Sequence, residues 1–450
     1  MSLHAVHVPT REELIRATAN KPVSRTVKLG ALALAALGLV TFVVGALGAA
    51  DTPTGANRAW MALMYNWLYF TIISSAGVAF AAVQRLTTAR WSRPVVRIIE
   101  GYVAWLPVAF VILVVILFAS GDNLFQWTRE SLHTPQKETY LDPTFFKLRG
   151  VVLFGLMTAF YTWFVYRSVR LDVGVTPEET TGSGWAKNMR AKMRAGFGEE
   201  RRELHSTHSI LGKIAVVVCL MFGWFWPIMI WDYSMTFSLH FQQTMYGWQV
   251  FMGGFLVMIM SFAVLMRVWR NHLGVYDVIT ESHFHDIGKL AFAFTAFWGY
   301  LTFSQFLVIW YGNLPEETHW PRLRLLDPWI GLSTAVVILS FVIPFFTLLS
   351  KAAKLFTPVM TVVAVCSALG IWIHRYLEIY PSVFGEASTL PFGIWEIGVG
   401  LGMLGLWVFC YTSFMDAFPK MRVFMMSSKY RDEVQVPVDP KTMEPLPAHE

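Results

Sequence analysis

Ten long apolar segments alternate with polar connections along the 450-residue chain. Each segment is 17 to 24 residues long, and a helix needs about 20 apolar residues to cross the roughly 30 Å hydrocarbon layer of a membrane. The pattern therefore predicts an all-α integral membrane protein with ten transmembrane helices. We number the predicted helices α1 to α10 in chain order, and their cores are Leu29–Ala50, Trp60–Val83, Ile98–Ser120, Gly150–Tyr166, Ile214–Trp231, Met245–Met266, Leu290–Gly312, Pro328–Ser350, Leu355–His374 and Gly393–Met415.

The charged residues are concentrated in the connections. Among the 36 Lys or Arg and 30 Asp or Glu residues, only Glu100 and Glu396 lie within the ten cores. Charged residues make up 15% of the chain and apolar residues 55%, whereas soluble domains carry about 25% charged residues. The apolar residues include the aromatic ones, which make up 15% of the chain, a share that disordered chains do not reach. The composition therefore excludes a soluble domain and a disordered chain.

Lysine and arginine fall mainly on one side of the predicted membrane. The N-terminal segment, the even-numbered connections and the C-terminal tail hold 28 of the 36 basic residues, and the odd-numbered connections hold 8. We call these the positive side and the opposite side. Because basic loops remain in the cytoplasm, we expect a cytoplasmic segment over residues 1–28, a membrane domain over residues 29–415 and a cytoplasmic tail over residues 416–450. The chain is thus predicted to be N-in and C-in.

Helices α2 and α6 share a short aromatic pattern near their starts. The pattern is Tyr65-Asn66-Trp67 in α2 and Tyr246-Gly247-Trp248 in α6. One interpretation is an internal repeat, in which α2–α5 and α6–α9 form two four-helix bundles and α1 and α10 are peripheral. The alternative is two unrelated aromatic positions at the membrane interface.

Helix α10 carries glycines one turn apart, at Gly398 and Gly402. Small residues with this spacing leave a flat strip on one face, along which another helix packs closely. The sequence favours a neighbour within this chain over a helix of a partner subunit.

The sequence contains few groups that bind a metal or a haem. Cys219, Cys366 and Cys410 are isolated in apolar segments, so no CxxC or CxxCH motif is present. The histidines lie in connections and tails, except for His240 and His374 near predicted helix ends, and they do not provide the paired intramembrane ligands of a b-type haem. We expect no metal or haem on this chain, and a lipid-soluble quinone or quinol as its one redox contact.

Polar residues at three depths of α7 are candidates for a proton path. They lie at its cytoplasmic entrance, in its apolar core and at its outer exit, and they are His283, His285, Asp286, Lys289, Tyr300, Ser304, Gln305, Glu316 and Glu317. Titratable and hydroxyl groups in series suit proton transfer across a membrane. The alternative is hydrogen bonding between helices, which explains Ser304 and Gln305 equally well.

Other acidic residues are candidates near helix ends. Glu100, one turn inside the cytoplasmic end of α3, is a candidate for proton uptake, with an ion pair to Arg97 as the alternative. Glu396, one turn inside the outer end of α10, is more typical of an exposed interfacial carboxylate. Asp232 and His240, in the outer connection after α5, are candidates for a quinol site, where either group would accept the hydroxyl proton. A short polar turn is the alternative there.

The α7 region resembles the second NrfD-like (polysulfide-reductase-like) membrane subunit of alternative complex III, the ActF family. The resemblance rests on HFHDIGK at residues 283–289, FWGY at 297–300, FSQF at 303–306 and WYGNLPEET at 310–318, with support from YLDPTFFKLR at 140–149 and from residues 238–255. It implies two four-helix bundles with two peripheral helices, in a quinol-oxidising complex of the bacterial cytoplasmic (inner) membrane.

The resemblance also implies partners. These are a second NrfD-like subunit that generally holds the quinol site, an iron–sulfur protein, haem c subunits, and a cytochrome or terminal oxidase that accepts the electrons. The ActF-like subunit is discussed in that family as a proton-conducting partner.

The sequence thus leads us to expect an integral membrane subunit of a quinol:cytochrome c or quinol:oxidase oxidoreductase, which supports assembly and conducts protons or contacts quinol. A secondary transporter is the main alternative, because transporters also combine repeats with polar residues at mid-membrane depth. A purely structural membrane scaffold is the other.

Overall fold

A computed structural model of the chain describes residues 10–19, 21–53, 55–129, 135–177, 184–385, 387, 389–430, 433 and 434. Within these residues, ten helices are long and apolar enough to cross a membrane, and no β-strand is formed. The predictions of an all-α fold and of ten membrane-length helices are confirmed. Much of the two predicted terminal segments, residues 1–9 and 435–450, lies outside the described residues.

The ten helices keep the predicted order. Their observed bounds, for α1 to α10 in turn, are Arg25–Ala49, Arg58–Leu86, Val96–Ala119, Pro143–Val175, Glu200–Phe237, Thr244–Leu273, Glu281–Gly312, Ile330–Leu348, Thr357–Phe384 and Ile394–Ala417. Shorter helices lie outside these spans, at Arg11–Ala19, Pro135–Tyr140, Gly184–Arg194, Pro315–Arg324, Lys351–Leu355 and Val423–Ser427.

Several helices continue well beyond their predicted cores, and α5, for example, begins at Glu200 instead of Ile214. Helix α4 runs to Val175 instead of Tyr166, and α9 runs to Phe384 instead of His374. Hydropathy marks the part of a helix that lies in hydrocarbon, whereas the helix itself continues while its polar side chains find partners. The helices α4 and α9 therefore extend past their predicted apolar cores, and the added turns carry charged residues into the helices.

Helices α2 and α6 form the centre of the molecule. In the most apolar window of each helix, 94% of the residues of α2 and 78% of those of α6 are buried, compared with 22% in α1 and 17% in α8. Helix α2 contacts α3, α5, α6, α9 and α10. Protein surrounds these two helices on almost every side, which explains why they are apolar around their whole circumference.

Neighbouring helices fall into two sets of contacts. In the first half of the chain, α2 and α4 each pack against α3 and α5. In the second half, α6 and α8 each pack against α7 and α9. The two sets meet where α6 lies against α2 and α5, and where α9 lies against α2.

Helix α1 packs along α10 through glycine residues. A methyl group added to Gly38 would lie 2.2 Å from the Cα atom of Gly402, and one added to Gly402 would lie 2.4 Å from the Cα atom of Gly38. The methyl group of an alanine at Gly398 would lie 2.7 Å from Thr41 on the same face. The glycine strip of α10 is therefore covered by a helix of this chain, as the sequence favoured.

Candidate functional site

Helix α9 carries three ionisable side chains on one face, at His374, Arg375 and Glu378. Residues three and four positions apart are neighbours on a helix, so both basic side chains reach the carboxylate. Arg375 Nη1 lies 2.9 Å from Glu378 Oε2, and His374 Nδ1 lies 3.2 Å from Glu378 Oε1. Arg375 and Glu378 are each only 1% exposed. We call these three residues the α9 cluster.

The α9 cluster lies within the membrane-spanning part of the molecule, toward the opposite side. Glu378 is in the last two turns of the 28-residue helix Thr357–Phe384. Ionised groups at such positions are costly unless they are paired or hydrated, and they commonly mark ion or substrate pathways. The cluster is therefore the strongest candidate site among the described residues.

A second guanidinium group approaches the cluster from the helix Pro315–Arg324. Arg324 Nε donates to the carbonyl of Leu377 at 2.9 Å, and Arg324 Nη2 donates to the carbonyl of Glu378 at 3.0 Å. Burial lowers the pKa of Arg324 to about 9, which leaves it charged at neutral pH. Since Arg324 and Arg375 both act on the single Glu378 carboxylate, the site has an excess of positive charge.

Several buried polar atoms of the site make no well-aligned hydrogen bond. They include Trp298 Nε1, Arg375 Nε and both carboxylate oxygens of Glu378, although the ion pairs described above hold the carboxylate. Nearly all buried polar atoms in proteins have a hydrogen-bond partner. Trp298 and Glu378 both face the same pocket, so that pocket is suited to water molecules or to a ligand with polar atoms.

The pocket has a volume of about 160 Å³ and lies between α6, α7, α8, α9 and the helix Pro315–Arg324. Its polar wall is formed by Gln249, Thr302, Gln305, His374 and Glu378. Three apolar residues of its lining are also exposed on the surface of the molecule, namely Phe306, Leu325 and Val337. The pocket thus combines polar side chains inside with exposed apolar side chains at its edge.

Only one residue of the α7 candidate set lies at this pocket, Gln305, which is buried. Next to it, Gln249 Nε2 donates to Thr302 Oγ1 at 3.1 Å. Tyr300 is 62% exposed on the lipid-facing surface, and Ser304 is half-buried.

The other α7 candidates lie at the two ends of the helix. His283 Nδ1 accepts from the backbone N–H of Thr280 at 3.2 Å and closes a cap at the helix start. Asp286 and Lys289 form a partly exposed ion pair at 2.8 Å, and His285 is half-buried. At the far end, beyond α7, Glu316 is exposed and Glu317 is half-buried. The α7 candidates therefore do not form one continuous row of polar side chains along the helix.

Glu100 is buried and forms an ion pair, although its Oε2 makes no well-aligned hydrogen bond. Its carboxylate lies 2.6 Å from Arg97 Nη1 and accepts from Ser168 Oγ at 2.7 Å. Arg97 also pairs with Asp172, which in turn accepts from the backbone N–H of Phe424 at 2.8 Å. The ion pair to Arg97 is thus present, and the sequence missed Asp172 because α4 was predicted to end before it.

Asp232 lies within α5, in the last turn of its α-helical part Glu200–Tyr233, and so it is not in a connection as predicted. Both of its carboxylate oxygens accept from Arg149, each at 2.8 Å. The predicted connection has no basic residue, but α4 supplies one from across the interface. His240, in contrast, is exposed. The two candidate quinol-site residues therefore have different environments, one buried in an ion pair and the other at the surface.

The expectation that Glu396 is an exposed carboxylate at the membrane interface was wrong. Its carboxylate is buried, lies 2.6 Å from Arg58 Nη2, and accepts from the Tyr380 hydroxyl at 2.8 Å. Arg58 starts α2, so this contact joins α2, α9 and α10.

The sequence missed the α9 cluster because the apolar core was predicted to end at His374. The signal that reveals it is the spacing His374-Arg375-x-x-Glu378, followed by an apolar helical pattern up to Phe384. Among the described residues, no group of three or more His, Cys, Asp or Glu is arranged to hold a metal ion. No protein-family model matches the sequence, and no curated protein matches it either.

Proposed function

We propose that this chain is an integral membrane subunit that transfers protons through its second set of helices, α6 to α9. The observation that supports this proposal is the buried α9 cluster beside a polar pocket, where several polar atoms make no well-aligned hydrogen bond. A carboxylate, an imidazole and neighbouring amide and hydroxyl groups are the groups that relay protons in membrane proteins.

The chemistry of the relay follows from the contacts of Glu378. A proton that reaches the pocket adds to a Glu378 oxygen and removes the charge that holds Arg375. His374 Nδ1 accepts from Arg375 Nη2 at 3.1 Å, and the positive charges of Arg375 and Arg324 disfavour an imidazolium, so the proton leaves Glu378 through the pocket and not through His374. Arg324 and Arg375 stay charged, so they favour return of Glu378 to the ionised state and release of the proton.

We further propose that the subunit works within a quinol-oxidising respiratory complex of the bacterial inner membrane, as the α7 resemblance implies. The motif residues Trp298 and Gln305 both line the pocket of the α9 cluster, which supports a shared function for them. Iron–sulfur clusters and haem c would belong to partner subunits. The contacts within α2–α5 and within α6–α9 support two four-helix bundles, and the distribution of basic residues supports the N-in, C-in orientation.

The decisive variant is Glu378→Gln, which keeps the size of the side chain and removes its charge. The isolated complex is reconstituted into vesicles, and quinol turnover and vesicle acidification are measured together. We expect the protons transferred per electron to fall to the number that quinol oxidation itself releases, because the proton-accepting group of the α9 path is lost. Glu138→Gln, on an exposed side chain outside every candidate set, is the matched control and should leave the ratio unchanged.

An unchanged ratio in Glu378→Gln would contradict proton transfer through α9 and favour a structural scaffold. Uptake of a solute by vesicles that contain this chain alone would instead favour a secondary transporter.

The exposed apolar side chains at the edge of the pocket favour a second candidate function, contact with a quinol headgroup that enters from the bilayer. Gln249→Leu would remove a polar atom from the wall without changing the charge of the α9 cluster. If a quinol binds here, the KM for quinol should rise while the proton-to-electron ratio stays constant. An unchanged KM would exclude this second function.

A further inference from the structure

A polar cleft on the opposite side lies next to the pocket of the α9 cluster. It has a volume of about 450 Å³, and its lining includes residues of three connections, those after α3, α5 and α7. Lys137, Gln242 and Glu317 represent the three connections. Because consecutive membrane helices run in opposite directions, these connections share one side of the membrane, and the cleft is open to the water there. We call it the outer cleft.

The outer cleft and the α9 pocket are separated by one layer of side chains. Phe241 lines the cleft and stacks on Trp320, which lines the pocket, with 4.4 Å between the ring centroids and 11° between the ring planes. Gln243 also lines the cleft, and its Nε2 donates at 3.4 Å to the backbone carbonyl of Gln305, which lines the pocket. In both places a residue of the cleft directly contacts a residue of the pocket.

The aromatic part of this layer excludes water. Phe241 and Trp320 are both buried, and the buried ring of Tyr246 packs edge-on against each of them, with centroid distances of 5.5 and 5.4 Å. The guanidinium group of Arg324 lies over the Trp320 ring, 3.4 Å from its centroid. A fixed positive charge at a constriction disfavours the passage of hydronium. The stacked rings therefore form a barrier to water and to protons.

Gln243 is the polar part of the same layer. Its Oε1 atom is buried and makes no well-aligned hydrogen bond, although nearly all buried polar atoms in proteins have a partner. An amide oxygen between two polar cavities is suited to hold a water molecule. Water that crosses the layer would therefore cross it at Gln243.

We propose that the α9 pocket exchanges protons with water through the outer cleft, that Phe241 and Trp320 seal the layer between them, and that Gln243 holds the water that crosses it. A proton leaves the carboxyl group of Glu378 for a water molecule in the pocket and passes along water at Gln243 to the cleft, and Glu378 returns to the carboxylate. The proton step rests on the proposed function, whereas the seal is a property of the layer itself.

The seal is tested by access to the pocket in the full chain, purified in detergent with its three native cysteines replaced by serine. Thr302→Cys places a thiol in the pocket wall, and its rate of reaction with a small anionic methanethiosulfonate, which stays in water, is measured. We expect a slow reaction, and one at least about tenfold faster after Phe241→Ala, because loss of a stacked ring leaves a gap in the layer. Leu239→Ala, which alters the cleft lining but not the layer, is the matched control and should leave the rate unchanged.

Three results would overturn the seal. They are a fast reaction before any ring is removed, an unchanged rate after Phe241→Ala, and an equal acceleration by Leu239→Ala. Phe241→Leu keeps an apolar side chain in the layer, so the reaction should stay slow. A Tm for Phe241→Ala close to that of the native chain shows that its thiol reacts through the gap and not through unfolding.

Gln243→Leu separates this inference from the proposed function. In the reconstituted complex it should lower the proton-to-electron ratio as Glu378→Gln does, while the Thr302→Cys thiol stays slow to react. A lower ratio in Glu378→Gln but not in Gln243→Leu would overturn the passage at Gln243 and leave proton transfer by the α9 cluster intact. An unchanged ratio in Glu378→Gln would contradict the proposed function, and the reaction rates of the thiol would still decide whether the layer is a seal.

Discussion

Each buried carboxylate that we describe within the ten helices lies against an arginine. Asp232 faces Arg149, and Glu396 faces Arg58. In hydrocarbon or in a protein core, the attraction within such a pair offsets the desolvation of both charges only while both partners are present. Loss of one partner therefore leaves a buried charge without compensation.

At Asp232 this argument gives a stability prediction. Arg149→Gln should lower the free energy of unfolding by about 3–5 kcal/mol, because the Asp232 carboxylate is left unpaired. In the double variant Arg149→Gln with Asp232→Asn, most of the lost free energy of unfolding should be recovered. Thermal unfolding in detergent measures both effects.

A control for this prediction is Lys289→Gln, which breaks the partly exposed pair with Asp286. Exposed pairs contribute less than about 1 kcal/mol, so its Tm should remain near that of the native chain. A double variant no more stable than Arg149→Gln would show that Arg149 acts through packing and not through its charge.

At the scale of the helix, the sequence predicts cores better than ends. Hydropathy identified all ten helices. A segment of about 20 apolar residues is stable only where lipid or protein surrounds it, and so its pattern is clear in the sequence. The apolar pattern stops at Tyr166 and at His374, where charged residues follow whose partners come from distant parts of the chain. Asp172 depends on Arg97, and Glu378 is held beside Arg324. Such pairings follow from tertiary packing, which hydropathy along a single helix does not contain.

The close contact of α1 with α10 predicts the effect of a larger side chain. Gly402→Leu should lower stability by at least about 1–3 kcal/mol, since an overpacked contact forces the backbones apart. Protease sensitivity of the N-terminal segment and the Tm both report the change.

Gly30→Leu is the matched control on α1, because nothing lies within 4 Å of a methyl group added at Gly30. If both variants lose stability equally, the glycine contact is not what holds α1 in place.

For the whole molecule, the distribution of basic residues predicts which surface faces the cytoplasm. In a cysteine-free background, Glu316→Cys should react in intact bacterial cells with a maleimide that does not cross membranes. Arg202→Cys should react only after the cells are made permeable. Both side chains are exposed, so accessibility to the reagent depends on the side of the membrane.

Reaction of Arg202→Cys in intact cells, without reaction of Glu316→Cys, would reverse the orientation. The number of helices and their alternation would remain valid, because they rest on hydropathy and not on charge.

The packing of α1 has a further consequence for how the protein is made. Helix α1 packs chiefly against α10, which leaves the ribosome roughly 350 residues later, or on the order of tens of seconds at about 5–20 residues per second. During that interval the glycine face of α1 has no partner and lies in lipid. Synthesis of α10 is therefore also the event that covers this face of α1, and a product terminated before α10 would expose a face that membrane proteases can recognise.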